Sequence, residues 1–439
     1  MHRHKRIAPT RMSLYQAFGA RFQLTGPIAR GTIRPSFVLG LRLIVQAGTL
    51  LIVARMLGPD QFGAFVGVAA LAVILGTLST FGTHLVLLGE VSRAPKRRDE
   101  VLRYAVPSTL LCGGILLAIF LLICTLVLHE TGIAPGVLLA IGIAEMWLQP
   151  LFSLPATEHL ALGRIARSQL LTTLPLALRL LAATAVLLLQ PADLLAMYGY
   201  GYLLASLIAL AVATATMPGH WPRLSSWRLP NKAELRDTVG YAALNITAAG
   251  PAELDKTLAT KLLPLASAGM YAVGARVIGA ATLPVIAMML SALPRLFREG
   301  GDQPKRTAHL LRWIFGATLA YSVALAVVLW LAAPVFVWLF GAKYQGLQYT
   351  IHWLTFAVPG MALRLCAGAI LMALGKAWMR VGFELAGLVM LLISAAILIP
   401  YFGAIGMPLA LACSEWSMTL LGWGFVMTNQ MKRQHSGLK

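Results

Sequence analysis

The sequence predicts an all-α polytopic membrane protein with about twelve transmembrane helices, arranged as two six-helix bundles around a central cavity. Three observations favour this fold class. Apolar residues make up 58% of the 439-residue chain and charged residues only 12%, whereas soluble domains carry about 25% charged residues. The apolar residues form long unbroken runs, which is typical of transmembrane helices and not of alternating barrel strands. Finally, a helical-hairpin pattern occurs once in each half of the chain.

The first hairpin extends from Ser36 to Leu88. It contains two apolar segments, each close to the 20 residues or so that cross a bilayer as a helix. Between them lies Gly58-Pro59-Asp60. This tripeptide ends a helix, because proline lacks an amide hydrogen and glycine is conformationally permissive. The segment is therefore predicted to be a transmembrane hairpin.

The hairpin pattern returns in the second half of the chain. Pro264 follows Pro59 by 205 residues, and Gly269 follows Gly63 by 206 residues. A shorter motif also repeats at an equivalent place, 212 residues apart, as Ala161-Leu-Gly-Arg164 and Ala373-Leu-Gly-Lys376. We therefore expect a duplicated six-helix unit. Because each unit has an even number of spans, the two share an orientation and form a parallel internal repeat about an axis along the membrane normal.

The twelve predicted spans lie at residues 36–57, 62–88, 105–128, 134–155, 169–189, 194–216, 239–263, 267–293, 309–331, 351–374, 378–399 and 405–428. The longest connection follows the sixth span and marks the junction of the repeats. The predicted domains are an N-terminal tail at 1–35, a first bundle at 36–217, a linker at 218–238, a second bundle at 239–428 and a C-terminal tail at 429–439.

The formal net charge of +20 is explained by topology. With the N-terminus in the cytoplasm, 28 of the 36 lysine and arginine residues fall in cytoplasmic segments, and only Lys343 lies in an external loop. Such a bias orients membrane proteins. We expect a multi-pass protein of the bacterial cytoplasmic (inner) membrane with both termini and the linker in the cytoplasm. The basic charge then needs no nucleic acid as partner.

The sequence has none of the common signatures of enzymes. It lacks the phosphate-binding GxxxxGK[ST] loop, the GxSxG nucleophile turn and the HExxH zinc motif. The four cysteines lie within apolar runs at spacings that do not suit a metal. We therefore predict a protein that is not an enzyme and that requires no cofactor or metal.

Ionisable residues within the predicted spans are the best candidates for function, because burying a charge in a bilayer is costly and usually implies a partner or a cavity. Asp255 and Arg276 lie at similar depth on either side of the second hairpin turn, so they are expected to form an ion pair or to contribute to a ligand site. Lys256 is expected to point elsewhere and to be free for a ligand. The remaining intramembrane candidates are the basic Arg42, Arg179 and Arg364, the acidic Glu145, Glu253, Glu384 and Glu415, and Arg55 and Lys261 near the external ends.

Three short motifs resemble those of polysaccharide flippases, the Wzx-type translocases of O-antigen and exopolysaccharide precursors in the multidrug/oligosaccharidyl-lipid/polysaccharide exporter superfamily. They are Ala54-Arg-Met-Leu-Gly-Pro-Asp-Gln-Phe-Gly63 in the first hairpin, Leu339-Phe-Gly341-Ala-Lys-Tyr344 after the ninth span, and Ala373-Leu-Gly-Lys376 after the tenth. The resemblance covers residues 36–428. It implies alternating access by two six-helix bundles, and movement of an undecaprenyl-diphosphate-linked oligosaccharide from the cytoplasmic to the outer leaflet.

The resemblance also implies that cations on the first helices of each half hold the diphosphate. The residues here that suit this role are Arg42, Arg55, Lys256, Lys261 and Arg276, and Arg364 is a further candidate near mid-span. The acidic residues Glu253 and Asp255 lie beside Lys256 in the sequence, so the cleft is expected to be less uniformly positive than this role prefers. The implied partners are the lipid-linked oligosaccharide and membrane lipids, with a polysaccharide polymerase and a chain-length regulator as candidates.

Two alternatives remain open from the sequence. A cation-coupled multidrug exporter of the same superfamily would need acids in the cleft that bind sodium ions or protons, and Glu145, Asp255 and Glu415 could serve in this way or could pair with arginines. A non-transporting membrane scaffold of a glycan-synthesis complex is the second alternative. The sequence identifies neither the sugar, nor a coupling ion, nor the oligomeric state.

Overall fold

The computed structural model describes residues 27–286, 288–289 and 304–436, and in these ranges the chain is helical with no β-strand. Most of the predicted N-terminal tail (residues 1–26) lies outside the described residues. So do residues 290–303, where the eighth span was predicted to end, and residues 437–439 of the C-terminal tail. The predicted all-helical membrane fold is confirmed.

The first bundle begins with the helical segment Pro27–Ser79, which Gly58 divides, at φ +73°, into α1 (27–57) and α2 (59–79). The backbone leaves helical geometry again at Phe81 and Gly82, where φ is positive, so the predicted continuous span 62–88 is interrupted. The remaining helices are α3 (Thr83–Arg93), α4 (Arg98–Leu126), α5 (Pro135–Ala161), α6 (Ile165–Leu189) and α7 (Leu194–Ala215).

The second bundle follows the connection after α7. Its helices are α8 (Lys232–Leu262), α9 (Leu265–Ala281), α10 (Pro304–Phe340), α11 (Leu347–Ala373), α12 (Ala377–Phe402) and α13 (Gly406–Ser436). A capping box starts α8, in which the Asn231 side chain and the Glu234 side chain each bind the other residue's backbone amide. This helix therefore begins inside the predicted linker of 218–238.

Nine helical stretches among the described residues are long and apolar enough to cross a membrane. Two of these, 40–79 and 377–428, each contain two helices, because Gly58 and Gly403 break them. Helix α8 is long enough but is not among the nine, and four charged residues lie near its end, Glu253, Asp255, Lys256 and Lys261. The helices are thus consistent with twelve spans.

The two hairpins meet at repeat-equivalent glycines. A Cβ atom on Gly63 would lie 2.2 Å from the Leu265 carbonyl oxygen, and one on Gly269 would lie 2.0 Å from the Pro59 carbonyl oxygen. Each hairpin thus presents its glycine to the turn of the other, as a two-fold relation requires. We refer to this level as the Gly58 end of the molecule and to the opposite level as the linker end.

A continuous apolar core joins the bundles at the Gly58 end. One buried cluster contains Val53 and Leu57 of α1 together with Val273 of α9 and Leu347 of α11. The buried hydroxyl of Tyr344 donates to the Ala54 carbonyl oxygen at 2.9 Å. This end of the molecule is therefore closed between the bundles.

The connection between the bundles packs on the first bundle at the linker end. The Arg228 amide donates to the Arg103 carbonyl oxygen at 3.1 Å, and Arg98 donates to the His220 carbonyl oxygen at 3.1 Å. The Arg228 guanidinium makes two hydrogen bonds, of 2.6 and 2.7 Å, with the Glu234 carboxylate. The start of α8 is thereby attached to the first bundle.

Candidate functional site

A buried polar cluster occupies the core of the first bundle. Arg179 of α6 donates to Glu145 of α5 at 2.8 Å and to Ser206 of α7 at 3.3 Å. The Arg179 guanidinium also lies 3.6 Å from the ring centroid of Tyr202, whose hydroxyl donates to Glu145. Glu145 belongs to the π-helical turn Ala144–Leu148, a local widening that is frequent at functional sites. The acid and the base neutralise each other.

A comparable cluster occupies the second bundle. Arg364 of α11 donates to Glu415 of α13 at 2.6 Å, and both side chains are buried. Arg380 of α12 donates to Glu384 of the same helix at 2.9 Å. In this structure Glu145, Glu384 and Glu415 thus each accept a hydrogen bond from an arginine. Arg364 is therefore a partner of a buried acid in this structure.

The structure corrects two expectations about α8. Asp255 does not pair with Arg276 but accepts hydrogen bonds from the Tyr271 hydroxyl at 2.7 Å and from Lys256 Nζ at 3.1 Å. Lys256 also lies 3.6 Å from Glu253, so the prediction that it is free for a ligand is wrong. The physical reason is burial, because a buried ammonium on a flexible stem gains more by reaching adjacent carboxylates than by remaining unpaired.

Three of the predicted site residues have no carboxylate partner within 4.0 Å among the described residues: Arg42, Arg55 and Arg276. Arg55 is exposed and lies one turn from Gly58. Lys261 lies equally close to Pro264 and reaches Glu130 at 3.5 Å. Arg55 and Lys261 are thus at the Gly58 end, and the structure does not bring them together with Arg42.

Arg42 and Arg276 lie deeper in the molecule. Arg42 lies 16 residues before Gly58 on α1, and Arg276 lies 12 residues after Pro264 on α9. At 1.5 Å per residue, these separations correspond to about 24 and 18 Å along the helix axes. Arg42 is half-buried and Arg276 is exposed.

The seam between α2 and α8 is packed at both ends. Near the Gly58 end, Thr260 donates to the Gly63 carbonyl oxygen and Thr257 to the Gly67 carbonyl oxygen, each at 3.0 Å. At the linker end, a Cβ atom on Gly82 would lie 2.5 Å from the Thr238 carbonyl oxygen. The glycines therefore permit close contact at both ends of the seam, and the GxxxG spacing of Gly63 and Gly67 is typical of such packing.

The pseudo-equivalent seam, between α9 and α1, differs. With the repeat offset of 205 or 206 residues, Arg55 of α1 is equivalent to Thr260 of α8, and Val273 of α9 is equivalent to Gly67 of α2. The helices pack near the Gly58 end through apolar residues. Towards the linker end, no atom lies within 4 Å of a Cβ added at Gly40 of α1 or at Gly279 of α9. Arg42 lies two residues after Gly40 on α1, and Arg276 lies three residues before Gly279 on α9.

The sequence indicated some of these features but not others. The small-residue spacing of Gly63 and Gly67 signals close packing, and the structure confirms it. The roles of Tyr202, Tyr271 and Thr260 were missed, since a single hydroxyl in an apolar run gives no local signal of its partner. No group of three or more potential metal ligands occurs in the part of the chain that the structure describes.

Comparison with solved structures shows which fold this is. This chain superposes on a structure described as the "inward-facing conformation of a multidrug resistance MATE family transporter of the MOP superfamily", with a TM-score of 0.73 and 14% identity. The superposition covers 89% of this chain and 96% of that chain. The chain also superposes on the "Lipid II flippase MurJ, inward closed conformation" over 90% of this chain and 88% of that one, with a TM-score of 0.72 and 13% identity. An outward-facing MATE family transporter gives a TM-score of 0.62 at 15% identity over 93% and 98% of the two chains.

A comparison with curated proteins gives no significant match. The sequence model of the family described as "Polysaccharide biosynthesis protein" matches residues 28–299. This segment contains the whole first bundle, the linker and the hairpin of the second bundle. With the fold of the MOP superfamily and a family match over more than half of its length, the chain belongs to the polysaccharide biosynthesis protein family.

Proposed function

We propose that this protein is a flippase that moves a lipid-diphosphate-linked oligosaccharide across the bacterial cytoplasmic membrane during polysaccharide biosynthesis. The lipid would be undecaprenyl, and transport would run from the cytoplasmic to the outer leaflet. Family membership and the transporter fold support a transport role and not an enzymatic one. The two-fold packing of the hairpins suits alternating access, in which the bundles rock about the contact of Gly63 and Gly269.

The observation that carries the proposal is that Arg42 of α1 and Arg276 of α9 have no acidic partner among the described residues. A diphosphate bears about two negative charges and cannot enter hydrocarbon unless those charges are compensated. Guanidinium groups bind phosphate oxygens with two parallel hydrogen bonds. Arg42 and Arg276 meet this need because no acid among the described residues lies within 4.0 Å of either. The cations at Lys256 and Arg364 are already engaged with carboxylates.

The orientation follows from the charge bias of the sequence. We place the linker end in the cytoplasm, because the segments there carry most of the lysine and arginine residues. The packed Gly58 end then faces outward, so the present conformation would admit substrate from the cytoplasmic leaflet. The half of the α1–α9 seam that holds Arg42 and Arg276 would be the entry region. The lipid tail would remain in the bilayer beside it.

Simple measurements distinguish the flippase from the two alternatives, a cation-coupled multidrug exporter and a non-transporting membrane scaffold. A multidrug exporter would confer drug resistance on overexpression, whereas the flippase would not. Glu145, Asp255 and Glu415 each have a basic partner or a tyrosine in the structure, so no observation favours the exporter. A scaffold would support polymer display without moving lipid-linked sugar in reconstituted vesicles. A polymerase and a chain-length regulator remain predicted partners.

The test is alanine substitution in a strain that lacks the chromosomal gene. Arg42→Ala and Arg276→Ala should each reduce polymer display at least tenfold while membrane abundance stays at the wild-type level. The reason is that neither side chain stabilises a buried acid. Arg312→Ala is the matched control, because this exposed guanidinium on α10 lies outside both seams. It should change neither display nor abundance.

The contrasting variant is Arg364→Ala, which leaves Glu415 buried without its partner. Loss of one partner of a buried pair costs about 3–5 kcal/mol, so abundance and display should fall together. Normal display from both Arg42→Ala and Arg276→Ala would contradict the proposed site. Loss of abundance in these two variants would show that the arginines are structural.

A further inference from the structure

A cavity of about 400 Å³ opens at the linker end, on the side of the molecule that bears the α2–α8 seam. It lies where α3 diverges from α8 below the close contact of Gly82 with Thr238. Helix α3 of the first bundle forms one wall, and α8 and the start of α12 of the second bundle form the other. The volume is within the range of small-ligand sites. Any occupant would touch both bundles.

The charged residues of this cavity are balanced. Arg93 and Arg236 contribute two guanidinium groups, and Glu90 and Asp237 contribute two carboxylates. Glu90 is engaged by Arg97 and lies 3.7 Å from Arg93. In contrast to the seam with Arg42, the cavity has no excess positive charge for a diphosphate. It offers hydrogen-bond donors and acceptors side by side, which matches a ligand whose hydroxyl groups both donate and accept.

Two aromatic side chains border the same cavity. Trp378 at the start of α12 is 71% exposed, and Tyr241 of α8 is 40% exposed. An exposed aromatic ring with a polar edge offers an apolar face to a ligand while its N–H or O–H group bonds to polar atoms. A pyranose ring has such a dual surface, with C–H groups on its faces and hydroxyl groups around its edge. The combination favours a sugar over a lipid or a free anion.

Two of the residues that line the cavity are glycines. Gly89 of α3 and Gly240 of α8 both line it, and no atom lies within 4 Å of a Cβ added at either residue. Both lie within helices and show no positive φ. Helix geometry therefore does not require glycine here, and the absent side chains leave room for a ligand.

We propose that this cavity is a saccharide-binding subsite, which holds one sugar unit of the oligosaccharide while the diphosphate is held at Arg42 and Arg276. The inference rests on the proposed function, because the flippase supplies the sugar. The subsite would give specificity for the glycan that the seam arginines cannot give. Because its walls come from both bundles, a bound sugar would also stabilise the conformation seen here relative to one in which the walls separate.

The test fills the cavity without removing any of its polar groups. Purified full-length protein would be titrated by calorimetry with two probes, namely the oligosaccharide repeat released by mild acid from the host's own surface polysaccharide, and inorganic pyrophosphate. Gly89→Trp and Gly240→Trp should each weaken oligosaccharide binding at least tenfold and leave pyrophosphate binding unchanged. Trp378→Ala should weaken oligosaccharide binding several-fold. Gly424→Trp, at an equally open helical glycine of α13, is the matched control and should change the binding of neither the oligosaccharide nor pyrophosphate.

The outcomes separate this proposal from the proposed function. Arg42→Ala should show the reverse pattern, with weakened pyrophosphate binding and unchanged oligosaccharide binding. If wild-type protein restores polymer display but does not bind the oligosaccharide, or if the filled variants bind it normally, the subsite is wrong and the flippase stands. If wild-type protein fails to restore display, the flippase itself is wrong. Retained pyrophosphate binding shows that the filled variants are folded.

Discussion

The two seams between the bundles are built from repeat-equivalent helices but differ in how they are packed. The α2–α8 seam has glycines against threonines near the Gly58 end and Gly82 against α8 at the linker end. The α9–α1 seam has Val273 and Arg55 at the equivalent places, and the faces that bear Gly40 and Gly279 are open. The first seam is closely packed at Gly63, Gly67 and Gly82, whereas the helices of the second carry the arginines Arg42 and Arg276.

The difference shows how a duplicated protein can become asymmetric through few residues. Small side chains let helix backbones approach, and threonine hydroxyls then reach carbonyl groups across the contact. The equivalent positions of the other seam have larger side chains, and there the contact near the Gly58 end is made by apolar side chains instead of glycine backbone. A two-fold scaffold can thus carry different side chains at equivalent positions on its two sides. Two substitutions that break the closed seam should have the larger effects, and one that weakens the attachment of α8 to the linker should have the smallest.

The largest effect is expected from Gly67→Val. A Cβ atom at Gly67 would lie 2.0 Å from Thr260 Oγ1, so the helices must separate, at a cost of about 1–3 kcal/mol. We expect a clear fall in melting temperature of the purified protein, together with reduced polymer display. Gly279→Val on the open seam is the matched control and should have little effect on either measurement. Equal losses in the two variants would refute the proposed difference between the seams.

A smaller effect is expected from Thr260→Val, which keeps the side-chain shape but removes the hydroxyl. The bond to the Gly63 carbonyl oxygen is lost, which costs about 1 kcal/mol. Cross-linking of Glu130→Cys with Lys261→Cys, in a background without the native cysteines, would report closure of the Gly58 end, and its yield should fall.

The control for this prediction is Thr125→Val. The Thr125 hydroxyl bonds only to carbonyl groups of its own helix, so the cross-linking yield should not change. An unchanged yield in Thr260→Val as well would show that the hydrogen bond across the seam does not hold the closed conformation.

The smallest effect concerns the attachment of α8 to the linker. The two hydrogen bonds from Arg228 lower the pKa of the Glu234 carboxyl. Because the pKa in the folded protein is depressed, the stabilisation is present above the ordinary glutamate range and is lost as the pH falls through the depressed value. Glu234→Gln should therefore lower stability by up to about 1 kcal/mol at neutral pH. The difference in melting temperature from wild type should shrink in acid, and a constant difference would contradict this account.

Much of the fold could be predicted because membrane helices carry their signal locally. Composition, apolar run length and the Gly58-Pro59 break are properties of contiguous residues, and the structure confirms the hairpin and the helical fold. The offset between Gly63 and Gly269 predicted the repeat. It could not predict that these two glycines contact each other, because that contact depends on how the two bundles dock.

The candidate site was less predictable, and the charged residues show why. The sequence singled out Arg42, Lys256 and Arg276 on equal terms as intramembrane cations. Whether each is neutralised depends on acids and hydroxyls from the same or other helices, such as Asp255 for Lys256. Pairing is decided by rotamers and by helix packing, which leave no periodic trace in the chain.

The sequence by itself determined that the chain is a helical membrane protein with long apolar segments, and it predicted their duplication and orientation. These follow from hydrophobicity and charge, which act on each segment separately as it enters the bilayer. Only the tertiary structure decided which seam closes and which arginines remain without an acid. Those outcomes depend on distances of a few ångströms between groups that lie far apart in the sequence. Gly63 and Thr260, for example, are 197 residues apart.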